Sequence, residues 1–386
     1  MTTNPLIKPF RVDVPQADLD DLRERLARTR WPEPETVQDW GQGVPLKSAQ
    51  ALVQYWSEQY DWRRCEAAFN RYEQWTTEID GVSIHFLHVR SRHENATPML
   101  LTHGWPGAVL EFFKVIEPLT DPTAHGGSAD EAFHLVIPTL PGYGFSGKPA
   151  DQGWSIEKIA QAWAELMARL GYTLYLAQGG DWGAAVTTAL GAMRPAGLRS
   201  IHVNLPMVMP RDPVAEPTPA ELAMLMAMQD YAEWDSGYAH QQSTRPQTLG
   251  YGLADSPVGQ AMWIFEKFHR WTDSDGDPLK VLSYDQMLDI ITLYWLTNSA
   301  ASSGRLYWES YKKGFFAVPL DLPVGCSIFP KELYRAPRSF AERCMSQIIY
   351  WGEPEKGGHF AALEQPAVFV NELRGWARCL PAGEGA

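Results

Sequence analysis

An aspartate held between glycines, where a strand turns into a helix, is the first feature of this chain that could do chemistry. In Leu174-Tyr175-Leu176-Ala177-Gln178-Gly179-Gly180-Asp181-Trp182-Gly183 an apolar run meets the turn, and the small residues Ala184, Ala185 and Val186 follow at once. The glycines permit a tight turn and close helix–strand packing, and the turn raises the central side chain above the sheet. Serine attacking an acyl carbon gives an ester that water cleaves; serine attacking a saturated carbon would give an ether and a dead end. A carboxylate attacking a saturated carbon gives an ester whose carbonyl belongs to the protein, and water can cleave that carbonyl. An aspartate elbow therefore points to a leaving group on sp³ carbon, a strained epoxide or a halide, and away from peptide or acyl-ester cleavage. A plain turn whose aspartate caps the next helix would look the same locally, so its company decides.

That company follows in order along the chain. Upstream, Leu100-Leu101-Thr102-His103-Gly104-Trp105-Pro106-Gly107 closes another strand. In an α/β-hydrolase such a loop donates one oxyanion-hole N–H and the residue after the nucleophile donates the other, here the backbones of Trp105 and Trp182. A glycine-rich loop, Pro141-Gly142-Tyr143-Gly144, follows the next strand signal. Near the end, Gly357-Gly358-His359-Phe360 sets His359 between the last strand and a C-terminal helix pattern of Leu363, Phe369, Leu373 and Trp376. Of ten histidines only His103 and His359 stand in such contexts, and His103 is expected to orient its own loop. An acid must hold the imidazole. Glu332 follows the strand signal Val324–Phe329 and is favoured over Glu353 and Glu355, which share the histidine's own loop. Nucleophile, acid and histidine then run in the α/β-hydrolase order.

The elements that must position these groups read as an α/β architecture. Eight strand signals (Tyr72–Thr77, Val82–Val89, Met99–Thr102, Phe133–Pro138, Leu174–Gln178, Ser200–Asn204, Val324–Phe329, Gln347–Trp351) alternate with amphipathic helices such as Ile156, Ile159, Ala160, Trp163, Met167 and Leu170. That rhythm predicts an eight-stranded, mostly parallel sheet covered on both faces. It stops between Pro206 and Pro319, where a Met- and Trp-rich helical stretch predicts a lid over the sheet's carboxyl edge. The expected organisation is an N-terminal helical extension (1–75), a first part of the core (76–206), the lid (207–319) and a second part of the core (320–386).

Composition narrows the partners. Thirty-three Lys and Arg against 46 Asp and Glu give a net charge of −13, which repels phosphate backbones and anionic lipid, so nucleic acid is not an expected partner. Hydrophobic residues at 45% and charged residues at 20% describe a globular chain, and no apolar run approaches the ~18 residues of a spanning helix. The first ten residues carry no apolar signal-peptide core. Cys65, Cys326, Cys344 and Cys379 are far apart, so neither a zinc site nor a disulfide framework is expected, and a reducing cytoplasm is the expected location.

With these motifs in order, the chain resembles the microsomal-type epoxide hydrolases, including bacterial soluble members and juvenile-hormone epoxide hydrolases, over nearly its whole length. The similarity runs through Arg30-Trp31-Pro32-Glu33-Pro34, His103-Gly104-Trp105-Pro106, the Asp181 elbow, Phe329-Pro330-Lys331-Glu332-Leu333 and Gly357-Gly358-His359. It also takes in the lid segments Ser236-Gly237-Tyr238, Glu266-Lys267-Phe268 and Arg305-Leu306-Tyr307-Trp308. The resemblance implies Asp181 as nucleophile, His359 and Glu332 as base and acid, and Tyr238 and Tyr307 as lid phenols that hydrogen-bond the epoxide oxygen. It implies no cofactor and no metal, and as partner a small epoxide, apolar or aromatic. The membrane anchor of the microsomal members has no counterpart in this sequence, a homodimer is left open, and detoxification, catabolism and antibiotic biosynthesis all fit as settings. The rivals are a haloalkane dehalogenase, similar at the Asp-Trp elbow, and an inactive relative that only binds.

Overall fold

Continuous apolar runs become the buried middle of one sheet. The computed structural model describes residues 6–314 and 316–380. Residues 1–5, part of the stretch read for a signal peptide, and 381–386, the end of the 320–386 segment, lie outside the described residues. Among the described residues there are nine strands: β1 (Ile7–Phe10), β2 (Gln74–Ile79), β3 (Val82–Val89), β4 (Thr97–Thr102), β5 (Phe133–Pro138), β6 (Tyr175–Gly179), β7 (Leu198–Val203), β8 (Leu320–Ser327) and β9 (Met345–Gly352). Their order is β1-β2-β3-β5-β4-β6-β7-β8-β9. The first three are antiparallel to their neighbours, and everything from β5 to β9 is parallel. Every residue of β5 and β6 is buried, as strands covered on both faces require.

The prediction of eight strands is corrected to nine. The extra one, β1, lies in the segment read as purely helical and pairs antiparallel with β2, Ile7 opposite Thr77 and Phe10 opposite Gln74. Four residues long, half exposed and interrupted by Pro9, it has no alternating pattern to betray it, and an edge position tolerates its proline. The segment also holds the helices Gln16–Ala27, Leu46–Glu58 and Trp62–Phe69, with irregular chain over 28–45. Leu19, Leu22 and Leu26 are buried as their spacing predicts.

Between β7 and β8 the chain builds helices from Pro219 to Ser310. The N-terminal helices brace this insert: Tyr55 and Tyr60 donate to Asp285 (3.1 Å) and Asp289 (2.9 Å), and Arg64 pairs with Asp289 at 2.6 Å. The loops after β4, β6, β8 and β9 all leave the carboxyl ends of parallel strands, the edge where open α/β sheets gather their chemistry.

Candidate active site

Asp181 sits at the end of β6 with φ 51° and ψ −129°, a backbone conformation that costs a non-glycine residue about 1–3 kcal/mol. The helix Trp182–Met193 starts immediately after it, so the carboxylate stands above the sheet. The neighbouring loops approach too closely for side chains. A Cβ on Gly104 would lie 2.1 Å from Asp181 Oδ1, and one on Gly183 would lie 1.9 Å from the Thr102 carbonyl oxygen. Glycine at both places is what lets the β4 loop reach the elbow, and there the Trp105 N–H donates to Asp181 Oδ1 at 2.7 Å. Trp182 is the first residue of its helix, where amides point toward the N-terminal end.

The other carboxylate oxygen faces histidine. His359 Nε2 lies 3.3 Å from Asp181 Oδ2, and His359 Nδ1 lies 2.5 Å from Glu332 Oε1, which also accepts the Leu333 N–H at 2.8 Å. Of the three carboxylates weighed from the sequence, Glu332 is the one that meets the imidazole. Glu353 is exposed and pairs with Arg335, and Glu355 is exposed. Burial by itself opposes charge on His359, but the Glu332 carboxylate and the bond to Asp181 outweigh it and hold the imidazole well above its ordinary pKa. In the resting site the ring is an imidazolium between two carboxylates. His103 is different: burial lowers it to about 4, its Nδ1 contacts the Gly104 carbonyl at 2.9 Å, and its Nε2 accepts the Leu140 N–H at 3.2 Å. It ties loops together as a neutral ring.

A mostly apolar cavity of about 100 Å³ opens above Asp181, lined by Trp182, Leu205, Met207, Met209, Met228 and Leu333 among others, with Tyr238 and Tyr307 in its wall. Tyr238 lies flat against Trp105 (ring centres 4.9 Å apart), and Tyr307 meets Trp182 edge-on at 4.7 Å. The Trp182 side chain, whose indole has only an N–H to offer, hydrogen-bonds the Tyr307 phenol. Burial first, then neighbouring phenols and Asp181, raise both tyrosines well above 10, so at neutral pH each keeps its proton. Beside Asp181 a smaller chamber of about 20 Å³, enough for one water, is lined by His359, Glu111, Gln178 and Asn204. A surface cleft of about 1020 Å³ between the N-terminal segment and the insert, near Trp31 and Met262, contains none of these groups.

The insert also mounts the histidine. The His359 N–H donates to the Trp271 carbonyl at 2.9 Å and the Gly357 N–H to Asp273 Oδ2 at 2.9 Å. Glu364 joins the same seam, accepting the Asp273 N–H at 2.7 Å and the Phe360 N–H at 3.0 Å.

Glu111 and Glu364 are members of the site that the sequence reading missed, although Glu111 is a lone acid inside the apolar run Ala108–Phe113, a signal that could have found it. Burial pushes Glu111 up to about 8 and Glu364 up to about 7, against an ordinary 4.5. Each binds its proton more tightly folded than unfolded, so its contribution to stability is whole below pH 4.5 and lost as pH rises through 7 to 8. In that window each adds a slope of up to about −1.4 kcal/mol per pH unit. Calorimetry from about pH 5 to 8.5 should show Tm falling, and falling less steeply in Glu111→Gln; equal slopes would mean that Glu111 is ionised throughout.

The chain matches the family described as "Epoxide hydrolase N terminus" over residues 7–112 and the one described as the alpha/beta hydrolase fold over residues 97–254. It is 59% identical over 377 residues to a Stigmatella aurantiaca protein named "Putative epoxide hydrolase", covering 97% of this chain and 86% of that one. Epoxide hydrolase 1 of Sus scrofa is 33% identical over 400 residues, covering 95% of this chain and 88% of that one. The crystal structure of juvenile hormone epoxide hydrolase from the silkworm Bombyx mori matches with a TM-score of 0.88 at 30% identity, covering 96% of this chain and 94% of that one.

Proposed function

The chain belongs to the epoxide hydrolase family, and from that membership and the geometry of the site we propose that it converts an epoxide to a vicinal diol through an ester on Asp181. The observation that carries the reading is the placement of Asp181: one oxygen on the Trp105 N–H, the other at His359, and two protonated phenols in the wall of the cavity above it. In the first step the Asp181 carboxylate attacks an epoxide carbon while Tyr238 and Tyr307 meet the oxygen that leaves. In the second, water is deprotonated by His359, steadied by Glu332, and attacks the carbonyl carbon of the ester. The oxyanion that forms is held by the N–H groups of Trp105 and Trp182. The chamber beside Asp181 and His359 gives that water a seat away from the organic group.

The methionines and leucines of the cavity favour an apolar or aromatic epoxide. Its size, about 100 Å³, is below the roughly 150 Å³ that admits benzene, so larger substrates need the insert to give way. All four cysteines are free thiols, which supports a cytoplasmic location. Halide release, the rival chemistry, needs no proton donor and leaves the two phenols without a task.

The deciding experiment is a single turnover in ¹⁸O-water. The label should enter the carboxylate of Asp181 and be missing from the first diol released. Label in that first diol would mean that water attacks the epoxide directly, and the ester mechanism fails.

A further inference from the structure

Tyr238 has a hydrogen-bond partner that neither the sequence reading nor the mechanism above uses. The helix Pro219–Asp230 runs into a five-residue π-helical turn, Tyr231–Asp235, before the helix that carries Tyr238. Such turns are rare and recur at functional sites, because they rotate side chains out of the register that an α-helix would give them. Here the Tyr231 hydroxyl lies 3.0 Å from the Tyr238 hydroxyl. Tyr231 is only partly buried, and it hydrogen-bonds in turn to Tyr311, also partly buried and in the wall of the same cavity. Three phenols thus run from the buried Tyr238 toward the outside of the insert.

Giving up a proton is hard for Tyr238. It is 6% exposed, and a phenolate left there has lost its water. The charges that face it are few: Asp181 across the cavity, and Lys267, whose ammonium lies 4.4 Å from the ring centre. That ammonium is already paired with Asp235 (3.3 Å) and Glu266 (2.5 Å). Among the described residues, the hydrogen-bond partner of the Tyr238 oxygen itself is the Tyr231 hydroxyl, and either of the two can donate.

We propose that Tyr231 is a positioning and proton-relay residue for epoxide opening, donating its hydrogen bond to Tyr238 as that phenol protonates the epoxide oxygen and returning a proton to it through Tyr311. This rests on the reading of Tyr238 as an acid. The step balances. As the Asp181 oxygen bonds to carbon and the C–O bond of the epoxide breaks, the Tyr238 proton goes to the leaving oxygen. The phenolate takes the Tyr231 proton, Tyr231 takes that of Tyr311, and Tyr311 takes one from solvent. Once Asp181 is esterified the His359 imidazolium releases its proton to solvent, and the proton that water loses when it splits the ester restores it, so none is gained or lost over a turnover. A hydrogen bond to a charged oxygen is the stronger kind, so removing it should slow opening about 10- to 100-fold.

The test is stopped-flow alkylation of the full chain by styrene oxide, comparing Tyr231→Phe, Tyr238→Phe, Tyr307→Phe and the paired variants. Phe keeps each ring, and melting curves check that each variant folds. Tyr231→Phe should slow alkylation while leaving hydrolysis of the preformed ester unchanged. It should cost nothing more on top of Tyr238→Phe yet keep its full effect on top of Tyr307→Phe. A wild-type alkylation rate for Tyr231→Phe, or an equal loss in both backgrounds, overturns the relay. A wild-type rate for Tyr238→Phe overturns the acid assignment beneath it, and that result is visible before Tyr231 is touched.

Discussion

His359→Gln is expected to trap the chain as an ester, with hydrolysis slowed by at least about 10³-fold while alkylation continues within roughly tenfold of the wild-type rate. The reason lies in the charges around the ring. Before reaction the imidazolium sits between Asp181 and Glu332, at 3.3 and 2.5 Å. Esterification neutralises Asp181 and removes one of the two charges that hold the proton on the ring. The imidazole then becomes free to act as a base at the moment a base is needed. Glutamine fills part of the space but takes no proton from water. Intact mass should show protein plus substrate within one turnover. Glu332→Gln should slow the same step by less, because the imidazole is misoriented but present. If His359→Gln slows both steps equally and no adduct builds up, the division of labour is wrong.

The double variant Tyr238→Phe/Tyr307→Phe should lose epoxide opening. An alkoxide is far too basic to leave unaided, so a proton must meet it as the C–O bond breaks. General-acid catalysis is worth about 10²–10⁴-fold, and two donors partly cover for each other, so each single variant should fall well short of the double. The rings still pack against Trp105 and Trp182, so the melting curve should stay close to wild type. A double variant that alkylates at the wild-type rate removes the phenols from the mechanism and reopens the dehalogenase reading.

Much of this site is legible in the sequence because strand ends announce themselves. Asp181, the Trp105 loop, Glu332 and His359 each follow a short apolar run that can be recognised one element at a time, and their order along the chain does the rest. The strand signals hold for the same reason: β5 and β6 are short, mostly apolar runs, broken only by His134 and Gln178 and bounded by turn residues. β1 escapes because an edge strand paired on one side needs no such run. The lid is harder. The helix of Tyr238 buries one face, but that face also carries Gln242 and Ser243, so no apolar stripe marks it, and only the resemblance singles out Tyr238 and Tyr307 from fifteen tyrosines. Tyr231 is more hidden still, since a π turn breaks the very spacing by which a helix face is read. The carboxyl protons of Glu111 and Glu364 depend on burial from several segments at once, which no local pattern records.

The seam between Trp271–Asp273 and the His359 loop bears on how such enzymes can be rebuilt. An insert that held only substrate-facing residues could be exchanged between relatives as a module, with the catalytic chassis left alone. This one cannot be cut out cleanly, because the carbonyl of Trp271 and the side chain of Asp273 are anchor points for the histidine loop. Libraries meant to change selectivity therefore belong upstream, in the helices Pro219–Asp230 and Gly237–Thr244. A graft that replaces residues 257–273 has to bring its own fastening for the His359 loop.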